Sequence, residues 1–281
     1  MIDGRIVPPE QAVVSVFDRG FLYGDSVFET LRSYQGRLFA LDAHLERLQQ
    51  SAARVLIPLP VSLQTLRAEL LQAVRAQASA ESYVRLTLTR GIGRTLGLDP
   101  ELADKPLRVV LVTPLAQPAA ELYERGIAAI TFRAQRPSDA PGVADAKIGN
   151  YLLAVLAMRA ARTAGAAEAL IEDGHGCILE GATSNVFAVF RGTLVTPPHS
   201  AAILPGITRA RVLELARDYL PVEERALLKT ELVQADEVFI TSSIRELLPV
   251  VRIDGRAVGP GTPGPIALGL LQRFRAAALR G

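Results

Sequence analysis

The chain has 281 residues, of which 49% are apolar and 21% are charged, and its formal net charge is +2. This is a globular composition, long enough for one large or two medium domains, and the basic residues are too dispersed to indicate nucleic acid or an anionic membrane as a partner. The lone Cys177 excludes an internal disulfide, the N-terminus is too polar for a signal peptide, and no apolar run reaches transmembrane length. We therefore expect a cytoplasmic protein.

Residues 1–113 have the pattern of a small α+β domain. The β-branched content of residues 12–17 predicts a buried strand, and Asp42 and Ser62 are placed to cap two amphipathic helices. Alternation along residues 83–91 predicts a strand with Tyr83, Arg85, Thr87 and Thr89 on one face. The predicted elements are strands at 2–7, 12–17, 28–34, 37–40, 83–91 and 107–112, and helices at 42–56 and 63–78.

Residues 114–118 are the best linker candidate, and residues 119–281 are predicted to form a second, larger domain. An irregular, turn-rich segment at 137–144 interrupts its strand pattern. The predicted elements are strands at 126–132, 169–171, 177–179, 186–190, 194–196 and 236–243, and helices at 152–162, 209–219 and from about residue 264.

Lys147 lies where the irregular segment leads into the helix at 152–162, which is apolar on most sides and is predicted to be mostly buried. A partly desolvated lysine loses its proton more easily, and only the neutral amine attacks a carbonyl. Taken alone, a surface lysine before a helix is the more ordinary interpretation. Residues elsewhere in the chain change that interpretation.

Three features suit an anionic ligand, although each is weak by itself. A helix that begins with Pro205-Gly-Ile-Thr208 offers free amides, the strand end Thr241-Ser-Ser243 offers hydroxyls, and Arg47 can pair with a phosphate through two hydrogen bonds. Glu180 follows a strand and could face a cationic ring nitrogen. The alternative interpretation of Glu180 alone is a solvated carboxylate at the rim of a hairpin.

Together these motifs resemble the class IV pyridoxal-phosphate enzymes, also called fold type IV, over nearly the whole chain. The matching pieces, in the order of the family, are Asp18-Arg-Gly20, Tyr23-Gly-Asp25, Val27-Phe-Glu29, His44-Leu-Glu-Arg47, Thr89-Arg-Gly91, Lys147 with Gly149-Asn-Tyr151, Glu180-Gly181, Ser184-Asn-Val-Phe187, Leu204-Pro-Gly-Ile-Thr-Arg209 and Ala235-Asp-Glu-Val-Phe239.

The resemblance implies an α+β, two-domain enzyme with a barrel-like sheet in its larger C-terminal domain, and an obligatory homodimer. It implies that Lys147 is the catalytic lysine that binds the aldehyde of pyridoxal 5'-phosphate covalently, and that Glu180 contacts the pyridine nitrogen. The phosphate would be held by Arg47, the amides of Ile207 and Thr208, and Ser242 with Ser243. No metal is expected.

Residues of the substrate side suggest an aminotransferase but leave its substrate open. Tyr83-Val-Arg85, with Tyr23 and Phe28, resembles the branched-chain enzymes, and Arg85 with Arg94 favours a substrate with a carboxylate. The reaction would move an amino group between a branched-chain-like or D-amino acid and a 2-keto acid such as 2-oxoglutarate. Aminodeoxychorismate lyase, and more remotely a non-catalytic protein that binds the cofactor, are the alternatives.

Two positions depart from the branched-chain pattern and keep these alternatives open. Thr30 stands where the branched-chain enzymes usually have glycine, and only two residues separate Lys147 from Asn150, as in the D-amino-acid enzymes and the lyase. The loop at 91–94 lacks the arginine-x-histidine pair of the D-amino-acid enzymes and partly resembles the glycine-rich loop of the lyase.

Overall fold

A computed structural model of the chain describes residues 1–134, 143 and 145–280, which divide into two compact units. The first unit comprises Met1–Ala116 together with Lys147 and its described neighbours up to Asn150, and the second comprises the rest of the described chain. Apart from residue 143, the turn-rich segment expected at 137–144 lies outside the described residues. Within the described part, no helix is long and apolar enough to cross a membrane.

The first unit is built on an antiparallel sheet of four strands in the order β2-β1-β3-β4. Two helices, α2 and α3, pack on the sheet, and buried residues such as Leu48, Leu70 and Leu86 form the core between them. The elements are α1 (Arg19–Tyr23), β1 (Ser26–Tyr34), β2 (Arg37–Leu38), α2 (Leu41–Arg54), α3 (Leu63–Gln77), β3 (Ser82–Thr89) and β4 (Leu107–Pro114).

The two helix caps expected from the sequence have different outcomes. Ser62 caps α3 as predicted, because its hydroxyl accepts a hydrogen bond from the Thr65 amide. The prediction for Asp42 is wrong, since α2 begins one residue earlier and its N-cap is Ala40 in the left-handed region. Asp42 lies in the first turn instead, where its negative charge suits the helix dipole.

The strand predicted at 12–17 is also wrong. These residues form no strand, and Val13 and Phe17 are 74% and 56% exposed. β-Propensity measures how well a side chain fits a pleated, half-buried surface, and this segment pairs with no strand in the described part of the chain. The strand predicted at 2–7 is reduced to isolated bridges from Ile2 to Arg5 and Val109.

The second unit contains a mixed sheet of ten strands in the order β10-β9-β8-β12-β13-β5-β6-β7-β11, with β14 paired to β13. The parallel pairs are β9 with β10, β5 with β13 and β5 with β6. The strands are β5 (Ile127–Arg133), β6 (Glu168–Glu172), β7 (Cys177–Gly181), β8 (Asn185–Phe190), β9 (Thr193–Thr196), β10 (Val222–Glu224), β11 (Leu227–Leu228), β12 (Glu237–Ser242), β13 (Glu246–Ile253) and β14 (Arg256–Ala257).

Helices of the second unit pack on this sheet, and the stacked rings of Phe187 and Phe239, 5.0 Å apart, lie in its interior. The helices are α4 (Ala120–Arg125), α5 (Leu152–Thr163), α6 (Ile207–Arg217), α7 (Lys229–Leu232) and α8 (Pro265–Arg280). The α5 helix was predicted to be mostly buried, and that prediction is wrong. Only Ala157 and Ala161 of α5 are buried, because its small residues face the sheet while its larger apolar ones point outwards.

Candidate functional site

The main chain of Lys147 extends the first sheet at the N-terminal end of β1. Ile148 forms a bridge with Val27, and the Phe28 amide donates to the Lys147 carbonyl at 3.0 Å. The Lys147 amide donates to the Ser51 hydroxyl of α2, also at 3.0 Å. Hydrogen bonds to β1 and to α2 therefore fix the backbone of Lys147, although the residue belongs to no regular strand or helix.

Phe28 brings Lys147 and Arg85 together. Its ring is 2% exposed, with the Lys147 Nζ 4.5 Å and the Arg85 Cζ 3.6 Å from the ring centroid. Arg85 reaches this ring because β3 pairs with β1 in a register that sets Thr87 opposite Phe28. The half-buried Tyr83 shares this face of β3, as its alternation predicted. A primary amine and a guanidinium thus lie against one aromatic side chain.

Arg47 is held by a carboxylate on the opposite face of β1. Its Nε and Nη2 atoms both donate to Glu29, each at 2.7 Å, and the two side chains are 7% and 0% exposed. His44, one turn before Arg47 on α2, contacts the same carboxylate at 2.7 Å. Arg47 is therefore an oriented, buried cation rather than the solvated helix residue that its surroundings in the sequence suggest.

The charges of this cluster follow from its geometry. Burial alone would raise the pKa of Glu29, but the charge and hydrogen bonds of Arg47, with His44, lower it to about 2. Burial lowers the pKa of His44, and the nearby cations of Arg47 and Lys147 act in the same direction. The Glu29 carboxylate opposes this shift without reversing it, so His44 is a neutral imidazole at neutral pH, and its Nδ1–H donates to the ionised Glu29.

Replacement of Arg47 by alanine should destabilise the protein strongly. The variant leaves the Glu29 carboxylate buried without its cation, which costs about 3–5 kcal/mol. The matched control is Arg54→Ala on the same helix, because Arg54 is 45% exposed and its ion pair with Asp145 is long, at 3.7 Å. That variant should lose less than about 1 kcal/mol. Urea unfolding of both variants is the measurement, and equal losses would contradict the burial argument.

Tyr23 and Arg94 lie in a different part of the first unit from Phe28. They line a cavity of about 100 Å³ between α1 and the loop at 93–96, and neither Lys147 nor Arg85 lines it. The Tyr23 hydroxyl accepts a hydrogen bond from the Gly97 amide at 3.3 Å. Arg94 is 69% exposed and donates to Asp104 at 2.6 Å. The predicted substrate residues therefore fall into two groups within this unit.

The second unit contains the predicted anion-binding groups. No side chain caps the start of α6, where Gly206 is the N-cap and the amides of Ile207 and Thr208 form the first turn. The α6 helix packs against β12, whose C-terminal end carries Ser242, followed by Ser243. Both serines are partly exposed, whereas Ile203 just before α6 is buried. Amides and hydroxyls of this kind bind phosphate oxygens.

Glu180 is held in place next to the start of α6. Its Oε2 atom accepts hydrogen bonds from the Leu204 amide at 3.0 Å and from Asn185 Nδ2 at 3.3 Å. The same Asn185 Nδ2 atom also donates to the Leu204 carbonyl at 3.0 Å. Two oriented donors keep the carboxylate in one position, so Glu180 is more than a solvated rim residue.

Several supporting residues were not recognised from the sequence. Glu29 and His44 lie inside motifs that carried the resemblance, yet no role was assigned to them. Their signal was present, because an acidic side chain in an otherwise apolar strand is buried only when it is paired. Asn185 also lies inside such a motif, but its contact with Glu180 depends on tertiary packing. Ser51 gave no signal, since its contact with the Lys147 amide spans 96 residues.

Comparison with known proteins identifies the family. Residues 26–253 match the family model described as amino-transferase class IV. The chain belongs to the class IV aminotransferases. It is 40% identical over 276 residues, 98% of this chain and 94% of the relative, to a putative branched-chain-amino-acid aminotransferase of Methanocaldococcus jannaschii. It is 37% identical to the D-alanine aminotransferase of Bacillus licheniformis, over 95% of this chain and 92% of that one.

Solved structures of this family agree with the fold. The branched-chain amino acid aminotransferase of Escherichia coli superposes with a TM-score of 0.92 at 32% identity, covering 98% of this chain and 92% of that one. A second branched-chain amino acid aminotransferase, complexed with N-(5'-phosphopyridoxyl)-L-glutamate, also gives 0.92 at 32% identity, covering 99% and 93%. The predicted fold type IV, with its curled half-barrel sheet, and the expected aminotransferase activity with pyridoxal 5'-phosphate are confirmed.

The residues of this class IV aminotransferase fit that cofactor chemically. Lys147 carries a primary amine, a group that reacts with aldehydes, and Arg47 carries a guanidinium, a group that pairs with phosphates. Taken by itself, the second unit offers the amides at the start of α6, serine hydroxyls and the fixed carboxylate of Glu180. When bound, the cofactor supplies the electron sink that stabilises negative charge on a substrate α-carbon.

Proposed function

We propose that this aminotransferase moves an amino group from a branched-chain-like amino acid to a 2-keto acid such as 2-oxoglutarate. The observation that carries the proposal is the placement of Lys147 and Arg85 against the same Phe28 ring, at 4.5 and 3.6 Å. Amino acids and keto acids share a carboxylate next to the reacting carbon. A guanidinium beside the reactive amine can hold that carboxylate while the amine acts on the neighbouring carbon.

We assign roles at the cofactor to residues of both units. Lys147 binds the cofactor aldehyde, and Glu180 keeps the proton on its ring nitrogen, because an ionised carboxylate stabilises a cationic partner. Support for these roles comes from family membership, from the fixed main chain of Lys147 and from the fixed carboxylate of Glu180. The proposed phosphate ligands are Arg47, Ile207, Thr208, Ser242 and Ser243.

Lys147 also moves the proton in the reaction. With the cofactor bound, the neutral Nζ of Lys147 would take the proton from the substrate α-carbon and hold it for return to the product. The hydrogen bond from the Lys147 amide to Ser51 keeps the backbone in place while the side chain moves. Glu29 holds the Arg47 guanidinium, so this proposed phosphate ligand stays in place while the Lys147 side chain moves.

The substrate side is proposed to use both arginines and three aromatic residues. Arg85 takes the α-carboxylate. Arg94 lines a separate cavity, so its proposed role is to donate to the γ-carboxylate of a longer substrate, which would replace Asp104 as its partner. The exposure of the Arg94–Asp104 pair supports this exchange, since exposed ion pairs contribute little stability. The aromatic side chains proposed to contact substrate are Tyr23, Phe28 and Tyr83.

A D-amino acid is the second candidate substrate. Its support is the 37% identity to a D-alanine aminotransferase and the two-residue spacing between Lys147 and Asn150. L- and D-isomers of one amino acid differ in the direction of the α-hydrogen, so Lys147 can serve only one of them efficiently from a fixed position.

The reaction type and chirality can be tested together. We expect one isomer of leucine, valine or alanine to bleach the visible band of the enzyme in a single turnover, because the amino group stays on the cofactor. Addition of 2-oxoglutarate should restore the band and give steady turnover with ping-pong kinetics. The measurement is absorbance spectroscopy with a panel of L- and D-amino acids.

The alternatives give different results in the same experiment. Steady release of pyruvate from aminodeoxychorismate, with no bleaching by any amino acid, would identify the lyase instead. A yellow protein that is inert with every donor and with aminodeoxychorismate would be the non-catalytic cofactor-binding protein. Bleaching by D-alanine but not by L-leucine would replace the branched-chain proposal with the second candidate.

We also propose a homodimer. In the first unit, Val13 and Phe17 are highly exposed, and in the second, Leu152 and Val155 of α5 are 65% and 60% exposed. Apolar side chains in such numbers mark surfaces that a second copy covers. A monomeric mass in sedimentation equilibrium would contradict the proposal.

The free thiol of Cys177 supports the proposed cytoplasmic location, since reducing compartments keep thiols unpaired.

A further inference from the structure

An ion pair in the second unit connects two turns that carry proposed cofactor ligands. Glu168, at the start of β6, is fully buried and accepts a hydrogen bond from Arg245 Nη2 at 2.7 Å. Arg245 lies in the turn between β12 and β13, shortly after Ser242 and Ser243. Its side chain is 19% exposed, so this ion pair is largely shielded from water.

The Glu168 carboxylate also holds the turn that follows Glu180. Its Oε2 atom accepts from the Ser184 hydroxyl at 2.9 Å, and the Gly181 amide donates to the Ser184 carbonyl at 2.7 Å. Gly181 is required here because a Cβ would lie 2.1 Å from Ser184 Oγ and 3.1 Å from Glu168 Cδ. Arg245 contacts the same turn through the Thr183 hydroxyl at 2.7 Å.

At the other end, the backbone of Arg245 orients the Ser242 hydroxyl. The Arg245 amide donates to Ser242 Oγ at 3.2 Å, so this hydroxyl oxygen is used as an acceptor and its proton points elsewhere. The Arg245 carbonyl accepts from the Tyr123 hydroxyl at 3.2 Å, which holds the turn from the opposite side. A serine that accepts one hydrogen bond from the protein is prepared to donate one to an anion.

We propose that Glu168 and Arg245 form a positioning pair that sets the Ser242 turn for the cofactor phosphate. The pair touches neither cofactor nor substrate; it acts by fixing the backbone of Arg245 and thereby the direction of the Ser242 hydroxyl. The proposal rests on the proposed role of Ser242 as a phosphate ligand. Because a buried carboxylate neutralises Arg245, its main effect on the phosphate site is to orient the Ser242 hydroxyl, and its positive charge adds little attraction.

The test compares two ligands that differ only in the phosphate. The full chain, freed of cofactor, is titrated with pyridoxal 5'-phosphate and with pyridoxal, and binding is followed by visible absorbance. Arg245→Met keeps the length of the side chain but removes the ion pair. We expect its affinity for pyridoxal 5'-phosphate to fall about 10- to 100-fold, the value of one hydrogen bond to a charged group. Its affinity for pyridoxal should change less than about twofold, because pyridoxal makes no phosphate contact.

A control variant separates this role from a general loss of stability. Arg108→Met also removes a guanidinium from a shielded glutamate, since Arg108 and Glu69 are 13% and 10% exposed and contact each other at 2.8 Å. It should lower the melting temperature of the protein without changing either affinity. Arg245→Lys should recover part of the lost affinity, because it restores a cation opposite Glu168.

Each outcome decides one question. If wild type binds pyridoxal 5'-phosphate no better than pyridoxal, the proposed phosphate ligands are wrong, independently of Arg245. If wild type discriminates and Arg245→Met discriminates equally well, only the positioning pair is overturned. In a further variant, Ser242→Ala, the added substitution Arg245→Met should not lower the affinity for pyridoxal 5'-phosphate any further. An undiminished effect of Arg245→Met in that background would show that the pair does not act through Ser242.

Discussion

Lys147→Ala should abolish turnover, by about 10⁴-fold or more, because one amine provides both the covalent attachment and the proton transfer. The chain has only three lysines, and the other two are unsuited to this chemistry. Lys105 is exposed in a loop. A hydrogen bond to Glu172 raises the pKa of Lys229, which keeps its amine charged and non-nucleophilic.

The fold should survive the loss of Lys147. Its main chain makes the contacts with Phe28 and Ser51, and alanine retains both. Turnover and the melting temperature are measured side by side, with Lys105→Ala as the matched control that should behave like wild type. Borohydride reduction followed by peptide mapping locates the attached cofactor directly. Attachment to Lys105 or Lys229 would refute the assignment.

Glu180→Gln should lower kcat by about 10²- to 10³-fold, the range typical for loss of one fixed electrostatic contact to a reacting centre. A neutral amide cannot stabilise the proton on the ring nitrogen, so the ring withdraws electrons less strongly. The variant is well suited to the site, because a glutamine carbonyl can still accept from the Leu204 amide and from Asn185.

Cofactor content separates a chemical role of Glu180 from a binding role. Glu180→Gln should retain about as much bound cofactor as wild type, since the phosphate ligands remain. Glu214→Gln is the matched control, because Glu214 is 61% exposed and pairs with Arg211 on the surface of α6. If Glu180→Gln keeps wild-type kcat, the carboxylate does not act on the ring nitrogen.

The sequence was sufficient where information is local. Alternation along β3 placed Tyr83 and Arg85 on one face, the hydroxyl of Ser62 indicated the start of α3, and the strand–turn–strand pattern of β6 and β7 was predicted within two residues. The ordered motifs around Lys147 and Glu180 indicated the family, because residue identity and spacing are properties of the chain itself.

Burial and pairing were decided by tertiary structure. Residues 12–17 are richer in β-branched side chains than β1, yet within the described part of the chain β1 pairs with two neighbouring strands and residues 12–17 pair with none. The α5 helix is apolar on most sides, and periodicity cannot tell which of those sides meets the sheet and which is left exposed.

The sequence contained least information about which charged residues pair with each other. Arg47 finds Glu29 across 18 residues and Arg245 finds Glu168 across 77, and no local pattern links either pair. The sequence by itself indicated the family and most of the elements, and it led to the proposal that Lys147 is the reactive lysine. Only the fold determined which cations are buried and how they are oriented, because a charge enters the interior only where packing places a counter-charge beside it.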